Sequence, residues 1–235
     1  MTISTRATII TVTNTNDSGP GSLRQALVNA NDGDRITFAV TGTIGLTSGE
    51  LVIDKSITIS GPGPNTLTVS RSSNTQFRIC HVMPDHTVTI QGLTISGGYA
   101  HFDFAGGILN DHATLILTNC AVATNEGNYG GGGVYNDGSN GSAALTIANS
   151  TISGNSSSSP GGGYAAGGGI LSVGSNESTT LTIINSTISG NSAVSGFPDN
   201  FGSGGRYRWR RDNYQQHDQR QLLLAPAVVV STVGG

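Results

Sequence analysis

A ten-residue segment repeats almost letter for letter in this chain, and the repeat constrains the fold more than any other feature. TIANSTISGN at residues 146–155 returns as TIINSTISGN at residues 182–191, and looser copies lie at residues 89–98 and 116–125. The apolar residue that leads each period recurs 27 to 36 positions later, at Ile57, Val88, Leu115, Leu145 and Leu181. A period of this length is typical of solenoid proteins, in which each repeat adds one layer to a continuous core.

Each period contains two or three short strands. Apolar, often β-branched residues alternate with Thr or Ser, which is the spacing of a half-buried strand. Bends rich in Gly and Asn separate the strands, as in GGILN at residues 106–110 and GGVYN at residues 132–136. No period shows a helical pattern long enough for a crossover helix. We therefore predict an all-β fold, a right-handed parallel β-helix of some six coils stacked ~4.8 Å apart.

Stacking the periods predicts which residues share a column. The apolar residues should form three internal columns: Leu115, Leu145 and Leu181; Leu117, Ile147 and Ile183; and Val122, Ile152 and Ile188. Asn119, Asn149 and Asn185 fall at a bend, where Asn tolerates a left-handed backbone, and we predict a ladder between their amides. The longer final period predicts that residues 155–163 bulge from a turn, because surface loops absorb extra length at little cost.

The N-terminal region predicts a cap on the solenoid. A strand at residues 7–12 is followed by a turn-rich loop and by the sequence SLRQ at residues 22–25, which fits a capping box. We predict a short helix over about residues 22–31, with its apolar side turned towards the core. Such a helix would cover the unpaired strand edges and the exposed core at the end of a β-helix.

The segment TVTNTNDSGPGSLRQAL at residues 11–27 carries a resemblance to a known family. It is similar to the N-terminal segment of bacterial β-helix proteins that share a CSLREA-type motif. The repeat units resemble those of polymorphic outer-membrane proteins and autotransporter adhesins. This resemblance implies export, a secreted or cell-surface location, and an adhesive or structural role without catalytic residues or cofactors.

Composition excludes several classes of protein. Charged residues make up 11% of the chain and the net charge is −3, so we expect neither nucleic acid nor an anionic membrane as a partner. No apolar run approaches the ~20 residues that span a bilayer. Cys80 and Cys120 are too few for a disulfide framework, and we expect Cys120 to be a small core residue. Since no export signal opens the sequence, we interpret it as a fragment of an exported protein.

The last 30 residues do not continue the pattern. No Lys or Arg lies between Arg78 and Arg206, yet five of the 11 fall after residue 205, together with the single Trp. We hypothesise a frameshift, because plausible codons for residues 214–222, read one nucleotide later, encode INSTISGNS again. The alternative is a basic RNA-binding tail. We therefore assign residues 1–205 to the capped β-helix and 206–235 to an out-of-frame, poorly structured tail, which the sequence of the parent DNA would test.

Candidate site residues are few. His101 and Asp103 lie in an insertion before a Gly-Gly bend, where a ligand-binding loop is possible, and a metal site that includes Asp111 or His112 is conceivable. An aromatic loop that packs on the solenoid is the simpler interpretation. The acidic residues after Val88 show no repeated pairing, so we expect no catalytic residue, metal or cofactor.

Short hydroxyl side chains define the other candidate surface. Thr94, Thr151 and Thr187 should point outward in register and could bind sugar, or more weakly ice, although ordinary exposed strand residues look the same. We expect a non-catalytic structural stalk or adhesin fragment, whose partner is a polysaccharide or the surface of a host or neighbouring cell. The enzyme alternative is a polysaccharide lyase or hydrolase, and a lyase would need a cation that residues 88–205 lack.

Overall fold

The structure is a computed structural model that describes residues 7–139, 141–159, 165–174, 179–194, 222–224 and 228–230. The described chain is almost entirely strand, with one short helix. In chain order the elements are β1 (Ile9–Val12), α1 (Leu23–Asn29), β2 (Arg35–Phe38), β3 (Gly42–Leu46), β4 (Leu51–Ile53), β5 (Thr58–Ser60), β6 (Leu67–Arg71), β7 (Cys80–Val82), β8 (Thr87–Gln91), β9 (Thr94–Ser96), β10 (Tyr99–Ala100), β11 (Ile108–Asp111), β12 (Thr114–Thr118), β13 (Ala121–Ala123), β14 (Glu126–Gly127), β15 (Val134–Gly138), β16 (Ala143–Ala148), β17 (Thr151–Ser153), β18 (Ser156–Ser158), β19 (Ile170–Gly174), β20 (Thr179–Ile184), β21 (Thr187–Ser189), β22 (Ser192–Val194), β23 (Leu222–Leu224) and β24 (Val228–Val230).

These strands form four sheets, and every pairing in them is parallel. Sheet A has the order β1-β2-β5-β8-β12-β16-β20-β24, sheet B β3-β6-β9-β13-β17-β21, sheet C β4-β7-β11-β15-β19-β23, and sheet D β10-β14-β18-β22. The chain visits sheets A, B and C in each of the first two coils. From the third coil it also passes through sheet D between B and C. The protein is therefore a parallel β-helix, as its repeat predicts.

The predicted columns are confirmed residue by residue. Leu115 pairs with Leu145, and Leu145 pairs with Leu181, all three buried in sheet A. The other two columns align in the same way, in sheets A and B. One continuous cluster of buried side chains runs from Val12 to Ile183 along the axis of the solenoid. The burial of these columns is the main source of stability, because a single coil has no second layer to cover its apolar side.

The insertion after residue 154 differs in part from the prediction. Residues 155–159 do not bulge: β18 pairs with β14 and β22 and extends sheet D. The reason is that Asn155 and Ser157 point into the core and are buried, so this segment is part of the coil. The remainder of the predicted bulge, residues 160–163, lies outside the described residues.

The tail contains two described strands. β23 pairs with β19 in sheet C, and β24 pairs with β20 in sheet A, both in parallel. The rest of the tail lies outside the described residues, as does the end of the predicted β-helix at residues 195–205. The frameshift stays a prediction.

Helix α1 is the predicted N-terminal cap. Ser22 is its N-cap residue, and its hydroxyl accepts a hydrogen bond from the backbone N–H of Gln25 (3.1 Å). Leu23, Ala26 and Leu27 are buried at the end of the core. The capping box is only half formed, because the Gln25 side chain donates to Asn29 (2.8 Å) and does not reach back to Ser22.

Arg24 and Asp17 fasten this cap to the first coil. The Arg24 guanidinium donates to the backbone carbonyls of Gly49 and Glu50, each at 2.7 Å, and to Asp17 at 2.8 Å. The other oxygen of Asp17 accepts from the backbone N–H of Ser48 (2.9 Å). Burial alone would raise the pKa of the Asp17 carboxyl, but these hydrogen bonds and the guanidinium charge outweigh it and lower the pKa to about 2.

We expect the cap to make the protein sensitive to acid. The folded-state pKa of Asp17 lies below its ordinary value of 3.8, so its stabilising contribution is complete above that pH and disappears as the pH falls towards about 2. Solvent screening near the surface reduces the contribution lost to about 1 kcal/mol. Urea unfolding measured between pH 5 and pH 2 should therefore show a steeper loss of stability in the wild type than in Asp17→Asn. Equal slopes in Asp17→Asn and the wild type would contradict this account.

Candidate functional site on the outer face of sheet C

The outer face of sheet C carries the polar residues that combine to form a candidate site. Strand alternation puts Asn110 and Asn136 inside the solenoid and Asp111 and Asp137 outside. The parallel register then pairs Asp111 with Asp137 on adjacent coils. Like charges directly opposite one another on a sheet are destabilising, so this arrangement needs a cation or a proton nearby. The expectation that the acidic residues have no repeated partner is therefore wrong: Asp111 and Asp137 each follow the Gly-Gly repeat unit, as GGILND at residues 106–111 and GGVYND at residues 132–137.

His112 is the basic side chain that contacts Asp111 in this pair of carboxylates. Its backbone is left-handed (φ 51°), which turns the chain sharply at the end of β11. One ring nitrogen, Nδ1, contacts the Asp111 carboxylate, and the other, Nε2, contacts the backbone carbonyl of Ser139. Both partners are acceptors, so they favour the doubly protonated ring, and the Ser139 carbonyl followed by Asp111 raises the pKa of His112. Gly141 passes so close that a side chain there would collide with the ring.

Asp111, His112 and Asp137 are called the Asp111 cluster below. Each of them offers one ligand-type atom, and these atoms all lie within 4.8 Å of one another. All three residues are partly buried, and the Asp111 and His112 side chains keep 26% and 28% of their surface exposed. The cluster is therefore open to a small solute while remaining attached to two adjacent strands.

A second set of charges adjoins the cluster. His81 on β7 lies between Glu50 and Asp111, with its two ring nitrogens 3.4 Å from one oxygen of each. Arg78 pairs with Glu50 (2.8 Å) and with Asp103. The hydrogen bond with Glu50 raises the pKa of His81, whereas burial acts in the opposite direction. Burial also raises the pKa of Glu50, but His81 and Arg78 outweigh it and leave that pKa below its usual range.

A groove of about 370 Å³ lies beside the Asp111 cluster, at the corner where the chain passes from sheet C to sheet A. Its walls come from the equivalent corners of three successive coils and from β20, so it crosses several coils. The lining is mainly polar and includes His112 itself. The residues that line it are Asp85, His86, Thr87, His112, Ala113, Thr114, Ser142, Ala143, Ala144 and Thr180.

His101 and Asp103 make different contacts within the insertion, and a ligand-binding role for this loop stays a prediction. The exposed His101 ring lies 4.0 Å from the Phe102 ring and 3.3 Å from the Tyr99 hydroxyl. Asp103 stabilises the insertion. Its side chain pairs with Arg78, and its backbone carbonyl accepts a hydrogen bond from the backbone N–H of Asn128 (3.0 Å). Phe104 stacks on Tyr135 on the outer face of sheet C (4.5 Å, 19°). The insertion thus packs on the solenoid, in agreement with the simpler interpretation of its sequence.

The predicted threonine array exists as a column on sheet B. Ala121 pairs with both Thr94 and Thr151, and Thr151 pairs with Thr187, so the column is interrupted by one alanine. Thr94 donates its hydroxyl hydrogen to the carbonyl of Pro64 (2.6 Å) and is therefore already engaged. This array is less regular than the sequence of the last two coils suggests.

The predicted asparagine ladder needs a correction. Asn119, Asn149 and Asn185 have the expected left-handed backbone (φ 51°, 48° and 47°), but all three side chains are exposed. The hydrogen-bonded ladder is formed by Asn125, Asn155 and Asn191, which occupy the position after the second bend of each coil. The Asn125 amide donates to the Asn155 side-chain oxygen, and Asn155 donates to Asn191, each at 2.9 Å.

Sheet C contains a second internal ladder that sequence reasoning missed. Asn110 donates to Asn136 (2.6 Å), and Asn136 donates to Ser172 (2.9 Å), with all three side chains buried. The signal was the Asn that ends GGILN and GGVYN, which is the third residue of its strand and points inward. Cys120 is buried, and its backbone N–H donates to the Ser150 hydroxyl on the next coil (3.0 Å). Burial raises the pKa of its thiol.

No protein-family model matches this chain, and no curated protein matches it. The family resemblance of residues 11–27 therefore stays a prediction, and the fold rests on the geometry of the coils. Helix α1 has seven residues, so the described part of the chain contains no helix that could cross a membrane.

Proposed function

We propose that this chain is a non-catalytic β-helical stalk of a secreted or cell-surface protein. One observation carries the proposal: several polar residues that recur in the sequence point inward and form hydrogen bonds from one coil to the next. Asn125, Asn155 and Asn191 do so in one ladder, and the side chains of Ser150 and Ser186 do so after the first bend. The resemblance of residues 11–27 to exported β-helix proteins supports the location.

The mechanical consequence follows from the parallel pairing. Each coil advances the rod by ~4.8 Å and is joined to its neighbour by backbone hydrogen bonds in three or four sheets. From the third coil onward each coil passes through the same four sheets, so repeats can be added there to increase the length of the rod. Its outer face can then present loops to a polysaccharide or to another cell surface.

A polysaccharide hydrolase is the second candidate, and the Asp111–Asp137 pair beside the groove favours it. Retaining glycosidases place two carboxyl groups ~5 Å apart, one as nucleophile and one as acid. Two features count against it here: Asp111 is engaged by His112, and Asp137 accepts from the backbone N–H of Ser139 (2.9 Å). A lyase is less favoured, because Arg78, the nearby cation, is already paired with two carboxylates.

Degradation assays on neutral and acidic polysaccharides, together with a glycan array, distinguish these functions. For a stalk we expect neither reducing ends nor unsaturated products above the level of a heat-denatured sample. If the wild type binds a glycan on the array and Thr151→Val does not, the stalk carries a ligand-binding surface on sheet B. Product release by the wild type that is abolished in Asp137→Asn would overturn the proposal in favour of the hydrolase. A thermal-hysteresis measurement tests the ice-binding alternative, for which we expect no effect.

A further inference from the structure

We propose that Asp111, His112 and Asp137 bind one divalent transition-metal ion of the zinc class on the outer face of sheet C. The three residues meet at the ends of β11 and β15, and their ligand-type atoms lie within 4.8 Å of one another. Ligand atoms around a tetrahedral Zn²⁺ lie about 3.4 Å apart, given metal–ligand distances of 2.0–2.2 Å. Small side-chain rotations are therefore enough to close the site.

The contact of His112 Nε2 with a backbone carbonyl is of the kind that metal-binding histidines make. A histidine that binds a metal through one ring nitrogen almost always donates the other N–H to a carboxylate or a backbone carbonyl. Here Nε2 contacts the carbonyl of Ser139, which leaves Nδ1 facing Asp111. A metal at Nδ1 would replace the proton that lies between the ring and the carboxylate.

The donor set selects the class of metal. One imidazole and two carboxylates suit Zn²⁺, Co²⁺, Ni²⁺ or Mn²⁺, whereas Ca²⁺ takes six to eight oxygen ligands and Mg²⁺ prefers oxygen ligands and water. Three protein ligands leave a fourth position for water, which the neighbouring groove can supply.

Local electrostatics also favour a cation. The outer face here holds four carboxylates, from Glu50, Asp103, Asp111 and Asp137, against the single permanent cation of Arg78. Arg78 is committed to Glu50 and Asp103, so in the described part of the chain no Lys or Arg side chain forms an ion pair with Asp111 or Asp137. A dication between the two strands would neutralise the pair and tie the third coil to the fourth.

The test uses the full chain without a histidine tag, stripped with a chelator and titrated with Co²⁺ and then with Zn²⁺. We expect one Co²⁺ per chain, with a visible d–d absorption that Zn²⁺ abolishes, and a Kd of about 10 µM or lower. Asp137→Asn should weaken binding at least about tenfold, because it removes a charged ligand but keeps the acceptor for Ser139. Asp85→Asn, in the neighbouring groove, should bind as the wild type does.

Two results would overturn the metal site. One is a wild-type chain with native circular dichroism that shows neither the absorption nor heat of binding. The other is an Asp137→Asn variant that binds Co²⁺ as tightly as the wild type. Neither result depends on whether the chain acts as a stalk or as a hydrolase, since both are read from binding of the metal alone.

Discussion

Replacing Asn155 by alanine should lower the free energy of unfolding by about 4 kcal/mol, one of the two largest effects we expect from a single substitution. Asn155 is 1% exposed, and its side-chain oxygen accepts from both the backbone N–H (3.0 Å) and the amide (2.9 Å) of Asn125. Its own amide donates to Val122 and Asn191. The substitution leaves these buried groups without partners, and each unpaired group costs ~1–3 kcal/mol.

Asn149 provides the matched control for this experiment. It lies in the same coil and has the same side chain, but it is exposed and left-handed. Asn149→Gly removes the same amide from a position that glycine adopts freely, so we expect a change within about 0.5 kcal/mol. Urea unfolding followed by circular dichroism measures both variants. Equal midpoints for Asn155→Ala and Asn149→Gly would show that the buried ladder does not stabilise the coils.

The contrast between these two asparagines shows how far the sequence predicts the fold. Both positions repeat with the same period, so periodicity identifies a column but not the side of the backbone on which it lies. Apolar columns have no such ambiguity, because burial determines their face, and Leu115, Leu145 and Leu181 were predicted correctly. The sequence alone does not assign Asn125 and Asn155 to the inside, since an inward amide is stable only when the coils above and below supply partners.

The carboxylate pair of the candidate site could be predicted from the repeat, whereas its histidine could not. Asp111 and Asp137 each follow the repeated Gly-Gly unit, as GGILND and GGVYND, and stacking these units places the two residues in one register. His112 was recognised as a possible ligand, whereas its pairing with Asp111 and the Ser139 carbonyl depends on a left-handed backbone and on Gly141. In the insertion at His101, Phe104 packs on Tyr135, whereas His101 and Phe102 are exposed.

The alternation of inward and outward residues can be tested within one strand. Leu117 and Ile116 are neighbours on β12 and have four side-chain carbons each, but Leu117 is fully buried and Ile116 points outward, in register with Thr89 and Thr146. Leu117→Ala should cost about 3–5 kcal/mol, because it opens a cavity between Ile90 and Ile147, which lie on the adjacent strands. Ile116→Ala should cost about 1 kcal/mol or less, since its side chain is already partly in water.

The same pair of variants tests the register of β12 in the β-helix. A shift of the pairing by one residue would turn every inward side chain of β12 outward, because successive side chains of a strand alternate between faces. Ile116→Ala would then be the costly substitution and Leu117→Ala the mild one. The denaturant midpoints of the two variants therefore decide between the register described here and the shifted one, provided that both variants keep the m-value of the wild type. We expect the Leu117→Ala midpoint to be the lower by a wide margin, because the column of Ile90, Leu117, Ile147 and Ile183 loses its continuity at that coil.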